Sequence, residues 1–273
     1  MSVMQGKVVA ITGAASGIGR ALAWDFARRG ADLALSDVDE AGLEETASAI
    51  RDREVTTTRL DVSKRDDVER WAEQSIQVHG HVDAVINNAG VTVQDTLINL
   101  TYEDFDWIVG INFWGVVYGT KAFLPHFLER DTGWIVNISS VFGMIGFPTQ
   151  SAYNATKFAV RGLTEALRWE LEGTNVTACS VHPGGIRTNI VRNARLYRDM
   201  DGAKTDKAAA VAQFDKIAKT TPAQAAKVII DGMEKREPRI LIGLDAKLID
   251  AVQRVAPRKY GPIMERIVQV LER

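Results

Sequence analysis

The sequence predicts an α/β fold, a doubly wound parallel sheet with helices packed against it. Three observations carry that prediction. Short apolar runs of strand length recur at 7–11, 32–36, 55–60, 82–86, 134–138 and 175–181, and helical patterns separate them. The first run passes at once into a glycine-rich turn and then a helical stripe of Ile18, Leu22 and Phe26. The length of 273 residues, 46% hydrophobic and 25% charged, suits one large domain with elaborations.

Composition narrows the function classes. A net charge of −2 and a pI near 6.1 give no reason to expect nucleic acid as a partner. The single cysteine, Cys179, excludes an intrachain disulfide and falls in an apolar run, so it reads as a buried strand residue in a reducing compartment. The first residues enter a strand without an apolar signal segment, and no apolar run is long enough to span a bilayer. A cytoplasmic protein without an integral membrane segment is expected.

The first turn, Thr12-Gly13-Ala14-Ala15-Ser16-Gly17-Ile18-Gly19, places glycines where backbone must approach an anion closely. Free N–H groups at the following helix start can receive a pyrophosphate. The second strand ends at Asp37, where a doubly wound sheet meets an adenosine ribose. A carboxylate there accepts both ribose hydroxyls and repels a 2′-phosphate, so NAD is expected over NADP. The competing role for Asp37 is a helix N-cap for 40–52, which Asp39 can fill. The third strand ends at Asp61-Val62, before a helix over 65–79. The fourth ends in Asn87-Asn88-Ala89-Gly90, either turn chemistry or a brace for the crevice. A long apolar helical segment over 104–127 contains Asn112, whose amide needs a partner if buried. It is read equally as holding a helix distortion or as part of the chemistry.

The segment 138–157 concentrates complementary chemistry. Ser140 stands at the end of the fifth apolar run, and Tyr153 and Lys157 share a helix face at i, i+4 spacing. An ammonium about 4 Å from a phenol favours phenolate by roughly 4 kcal/mol at an effective dielectric of ~20, enough to bring the phenol toward neutrality. Tyr153 is thereby expected to exchange a proton with an alcohol or carbonyl while Ser140 holds the reacting oxygen. After the run at 175–181, His182-Pro183-Gly184-Gly185 turns the backbone across the crevice. His182 precedes a proline and has no evident partner acid, so it is not read as a base.

Taken together, the glycine turn, Asn87-Asn88-Ala89-Gly90, Asn112, Ser140, Tyr153-x-x-x-Lys157 and Pro183-Gly184 resemble the classical short-chain dehydrogenase/reductase family. The resemblance implies a Rossmann-type seven-stranded parallel sheet whose last strand is Arg239–Ile242, and a tetrad of Asn112, Ser140, Tyr153 and Lys157. It also implies that Gly13, Ser16, Ile18, Gly19, Asp37, Asp61, Val62, Asn88, Pro183 and Ile186 line NAD, that Thr188 contacts the carboxamide, and that Lys157 binds the nicotinamide ribose beside Tyr153. No metal ligand set is implied.

The reading divides the chain into a catalytic and cofactor-binding unit over 1–243, with a lid at about 189–220, and a helical extension over 244–273. Arg192, Arg195 and Arg198 in the lid, spaced at three, are read as a solvated helix face rather than an acidic-substrate site. The apolar run 141–147 points to a hydrophobic alcohol or ketone of steroid, terpenoid or aryl type. In the extension Tyr260, Ile263, Met264, Ile267, Val268 and Leu271 form an amphipathic stripe, expected to pack on its own domain or a sister subunit. Family members are homo-oligomers, so a dimer or tetramer is expected. The rival readings are a 3-oxoacyl-thioester reductase using NADPH and a non-catalytic NAD-binding sensor.

Overall fold

The computed structural model describes residues 2–263. Seven strands form one parallel sheet: β1 (Val8–Thr12), β2 (Asp32–Asp37), β3 (Val55–Arg59), β4 (Ala84–Asn87), β6 (Gly133–Ile138), β7 (Val176–Pro183) and β9 (Arg239–Ile242). Their order is β3-β2-β1-β4-β6-β7-β9. From β1 the chain steps outward through β2 to β3, then returns to pair β4 with the free side of β1, Ala10 opposite Val85. Strand order therefore reverses between β1 and β4, and their carboxyl ends open a crevice, the usual ligand position in such sheets.

Both faces are covered, which explains why the strands read as continuous apolar runs. Alternate residues of β1 point to opposite sides. Val9 and Ile11 join Leu22 and Phe26 of α1 (Gly17–Arg28) and Ile229, Ile230 and Met233 of α8 (Pro222–Glu234). Val8 and Ala10 join Trp71 of α3 (Arg65–His79) and Phe123 and Phe127 of α5 (Gly115–Glu129). The Trp71 and Phe123 rings meet edge-on at 5.5 Å. Cys179 lies buried in β7, and burial pushes its thiol up to about 12.

Boundaries differ in instructive ways. The helix expected over 40–52 is α2 (Glu40–Ser48), capped by Asp39, whose carboxylate accepts the Gly42 N–H at 3.1 Å. The long segment expected over 104–127 is α4 (Tyr102–Val109), a π-helical turn at Gly110–Trp114, then α5. The segment 189–220 contains α7 (Lys207–Ile217) and a strand β8 (Arg195–Leu196) paired parallel with β5 (Val93–Gln94). Arg192, Arg195 and Arg198 therefore do not share a helix face. Pairing with β5 extends this backbone, and each arginine has its own partner: Arg192 meets Asp215, Arg195 meets Asp104, and Arg198 bridges to Lys204 through the backbone.

After α6 (Ser151–Glu170) and β9, the chain ends its described part with α9 (Leu244–Val255) and a helical turn beginning at Tyr260. Ala246 of α9 packs on Val141 and Met144, so this stretch of the extension docks on its own domain. Met264, Ile267, Val268 and Leu271 of the expected stripe lie outside the described residues. Among the described residues no helix is long and apolar enough to cross a membrane.

Candidate active site

At the end of β6 the chain leaves the sheet, and Ser140 caps a short 3-10 turn by accepting the Phe142 N–H at 3.1 Å. Its hydroxyl also stands beside the Tyr153 phenol, on the first turn of α6, and favours the ionised form of that phenol. One helical turn along, Lys157 is 3% exposed and its Nζ lies 5.6 Å from the Tyr153 ring centroid. The ammonium lies over the phenol ring and donates one bond to the Ile138 carbonyl at 2.9 Å. Burial accordingly dominates both groups, pushing Tyr153 up to about 12 and Lys157 down to about 8. The expectation that Lys157 brings the phenol toward neutrality is thus not met in this geometry, because desolvation of the buried phenol dominates.

Asn112 sits in the middle of the π-helical turn and is fully buried. Its amide accepts the Val91 N–H at 2.8 Å, donates to the Val91 carbonyl at 2.9 Å, and reaches Thr156 at 3.3 Å. A widened turn of this kind re-aims one side chain out of the helix register, here toward the strand end and α6. Helix distortion and site are one feature.

The run 141–147 does not present a continuous apolar wall. Val141, Met144 and Ile145 are buried, two of them against the extension, whereas Phe142 and Phe147 stack at 5.2 Å. Phe142 also meets the Tyr153 ring edge-on at 6.0 Å. This loop is shaped by Asn154, which the sequence reading did not single out: it accepts the Phe147 N–H at 3.0 Å and donates to the Phe142 and Ile145 carbonyls at 2.8 and 2.7 Å. Tyr260 of the extension accepts the Gly146 N–H at 3.0 Å, closing the same loop from outside.

Across the crevice, Gly13 and Gly17 adopt positive φ of 68° and 56°. A side chain at Gly13 would meet Ala89 Cα at 2.8 Å, so only glycine lets the turn pass under the end of β4. Ser16 precedes α1 without capping it by its side chain, and the first turn carries no acidic residue, which suits an anion at the helix start. Ile18 and Gly19 follow inside α1. Asn88 is a brace: its amide donates to the Thr12 and Gly13 carbonyls at 2.9 and 3.1 Å. The Asp37 carboxylate accepts the Ala15 and Asp39 N–H groups at 2.9 and 3.0 Å, and Asp39 holds the cap, leaving Asp37 facing the turn. Arg20, also missed in the sequence, spends its donors on the carbonyls of Ala15 and Gly42, on Thr46 and on Glu45.

Farther along the crevice, Asp61 accepts the Ser63 N–H and hydroxyl at 3.0 and 2.7 Å, and Val62 packs on Gly115 at the start of α5. Pro183 ends β7, opposite Ile242 of β9. The turn beyond it is held by Gly184 N–H to the Ile242 carbonyl at 3.0 Å and Gly185 N–H to Asp245 at 2.7 Å. Ile186 is buried and pairs with Thr220, and Thr188 lies against Gly17 on the opposite lip. The predicted residues thus gather along one crevice, from Asp37 at one end to Tyr153 at the other.

Residues 7–199 match the family described as short chain dehydrogenase. The chain belongs to the short-chain dehydrogenase family of oxidoreductases. SadH of Mycobacterium tuberculosis is 45% identical over 265 residues, covering 95% of this chain and 94% of that protein. A short-chain dehydrogenase/reductase from Burkholderia phymatum, solved in complex with NAD, superposes with a TM-score of 0.84 at 31% identity, covering 97% of each chain. The 3-oxoacyl-[acyl-carrier-protein] reductase FabG of Thermotoga maritima is 36% identical over 190 residues, 68% of this chain and 76% of that protein.

In this short-chain dehydrogenase the segment 195–197 is pinned to α4 beside the site. Arg195 pairs with Asp104 of α4 at 2.8 Å and stacks over Trp107 with its guanidinium 3.8 Å from the ring centroid. Tyr197 donates to the same carboxylate at 3.2 Å. Burial opposes ionisation of Asp104, but these bonds and that from Thr101 outweigh it and hold its carboxyl below the usual range. Arg195's tie to Asp104 and Asp245's to Gly185 carried no recognisable sequence signal, since these partners are distant along the chain, whereas Asn154 went unread although its partners lie within twelve residues.

Proposed function

We propose that the chain is an NAD-dependent oxidoreductase that interconverts a secondary alcohol and a ketone on a hydrophobic small molecule. The observation that carries this reading is the placement of the Ser140 hydroxyl beside the Tyr153 phenol, with Lys157 one turn along α6, across the crevice from the glycine turn. Bound nicotinamide supplies the acceptor or donor of hydride at its C4 carbon. Ser140 holds the substrate oxygen, and Tyr153 donates a proton to the ketone or removes one from the alcohol. A phenol kept protonated by burial is the form that ketone reduction requires. Lys157 binds the nicotinamide ribose, and Asn112 holds the floor behind it through Val91 and Thr156. The Phe142–Phe147 stack beside Tyr153, with Val93 and Ile190 in the same apolar cluster, favours a steroid-, terpenoid- or aryl-like substrate.

The cofactor crevice takes NAD through Gly13, Ser16, Ile18 and Gly19 at the pyrophosphate, Asp37 at the adenosine ribose, Asp61, Val62 and Asn88 around the adenosine half, and Pro183, Ile186 and Thr188 at the carboxamide. Asp37 faces the turn, where Arg20 is engaged by Glu45 and backbone carbonyls, while Arg59 stands in register with Asp37 on the neighbouring β3. The likeness to an NAD-bound structure from Burkholderia phymatum supports this choice. The second reading, reduction of a 3-oxoacyl thioester by NADPH, is favoured by the likeness to FabG. Titrating NADH beside NADPH by fluorescence of the bound reduced form, on wild type and Asp37→Ala, separates them. Tighter NADH binding by at least about tenfold, lost in the variant, is expected. NADPH binding as tightly as NADH brings the thioester reading forward. Turnover with NAD is then sought on cyclohexanol, 1-phenylethanol, menthol and a 3β-hydroxysteroid, and no turnover on any of them overturns the alcohol reading.

A further inference from the structure

His182 is the one imidazole beside the proton-transfer residues, and nothing above uses it. It is completely buried in β7, its Nδ1 3.0 Å from the Ser140 carbonyl oxygen and its Nε2 3.1 Å from the Ser180 hydroxyl. A carbonyl only accepts, so Nδ1 must carry the proton. Burial pushes the imidazole down to about 4, so at neutral pH Nε2 is bare and accepts from Ser180. That single tautomer leaves no site for base chemistry.

The reason for a side-chain donor here lies in the strand ends. Ser139 donates its N–H to the Val181 carbonyl at 2.8 Å, the last rung between β6 and β7. The next donor along β7 falls on Pro183, which has no N–H, so the ladder stops as Ser140 leaves the sheet. The imidazole of His182 takes over, tying the Ser140 carbonyl to β7. Phe142 N–H meanwhile donates to the Ser140 hydroxyl oxygen, which leaves that hydroxyl's own proton free for another acceptor.

We propose that His182 is a positioning residue for the reacting centre: its Nδ1–H fixes the Ser140 backbone and so sets where the Ser140 hydroxyl meets Tyr153 and the substrate oxygen. This rests on the alcohol–ketone reaction proposed above. Misplacing a holding group by about 1 Å costs on the order of 10²-fold in rate, so the effect belongs in kcat. His182→Asn retains an amide nitrogen near Nδ1, whereas His182→Gln retains one near Nε2.

The test is a double-mutant cycle, run with NAD and the fastest alcohol of the panel above, with thermal unfolding and reduced-cofactor affinity measured on each variant. His182→Gln is expected to lower kcat by at least about tenfold at unchanged cofactor affinity, and His182→Asn to stay within about threefold of wild type. In the Ser140→Ala background, His182→Gln should cost no more than about twofold further. Losses that multiply, or Asn no better than Gln, overturn the inference while leaving the reaction standing. A Ser140→Ala enzyme with wild-type turnover overturns the reaction and this inference with it. Independently of any substrate or variant stability, ¹⁵N NMR of the wild-type imidazoles should report a neutral Nδ1–H tautomer for His182, and an Nε2–H tautomer sinks the assignment.

Discussion

Tyr153 shows how a residue's spacing and its acidity are decided by different physics. Its i, i+4 relation to Lys157 follows from helix geometry, but its proton affinity follows from burial, which here holds the phenol at about 12 while Lys157 donates to the Ile138 carbonyl. Tyr153→Phe is therefore expected to lower kcat by about 10²–10⁴, measured under saturating cofactor and substrate. The pH dependence has a definite sign. Ketone reduction uses the protonated phenol and should stay flat across neutral pH, whereas alcohol oxidation uses the phenolate and should rise with pH. A rate of oxidation that falls between neutral and mildly alkaline pH would count against Tyr153 as the base.

Elements carry the second layer of control. The π-helical turn at Gly110–Trp114 exists where Asn112 is clamped to Val91, so an apparent helix defect delivers a side chain to the site. At the opposite end of the sheet, Asp83 precedes β4 and is 1% exposed. It accepts the Val8 N–H at 3.0 Å and pairs with Arg130 at 3.1 Å, His81 at 3.1 Å and Lys7 at 3.4 Å. Burial alone raises its pKa, but those partners outweigh burial and hold the carboxyl below its usual range. A depressed carboxyl stabilises the fold above its unfolded value, and that contribution disappears as pH falls through the folded one. Asp83→Ala should therefore lower unfolding stability by about 3–5 kcal/mol in urea at pH 7. The gap from wild type should narrow below about pH 4.

At the scale of the whole molecule, the outer faces of α5 and α6 and the turn between α4 and α5 expose large apolar side chains. Trp114, Phe158 and Trp169 are 46%, 42% and 76% exposed. We expect these faces to be covered in a homo-oligomer built on the helices that bear Asn112 and Tyr153, and the extension to favour a dimer over a tetramer. Light scattering on the full chain checks this: a dimeric mass is expected, and a tetrameric one counts against the extension's role.

Local patterns were enough to make the architecture legible. Runs of apolar residues buried on both faces, a glycine turn after the first of them and an i, i+4 pair on a helix all report interactions between residues close in sequence, and the fold class and the gathering of Ser140, Tyr153 and Lys157 followed from them. The capping box of Thr221 and Gln224 that starts α8 was equally local and equally available, yet went unread. What only the tertiary structure decided depends on partners far apart in the chain. The arginines of 192–198 could not be seen to leave helical register, because β5, which draws Arg195 into a strand, lies about a hundred residues earlier. The direction of the Lys157 ammonium, the inward turn of Val141 and Met144 under the extension, and the bond from His182 to Ser140 are likewise set by burial and by hydrogen bonds that exist only once β6, β7, α6 and α9 have met.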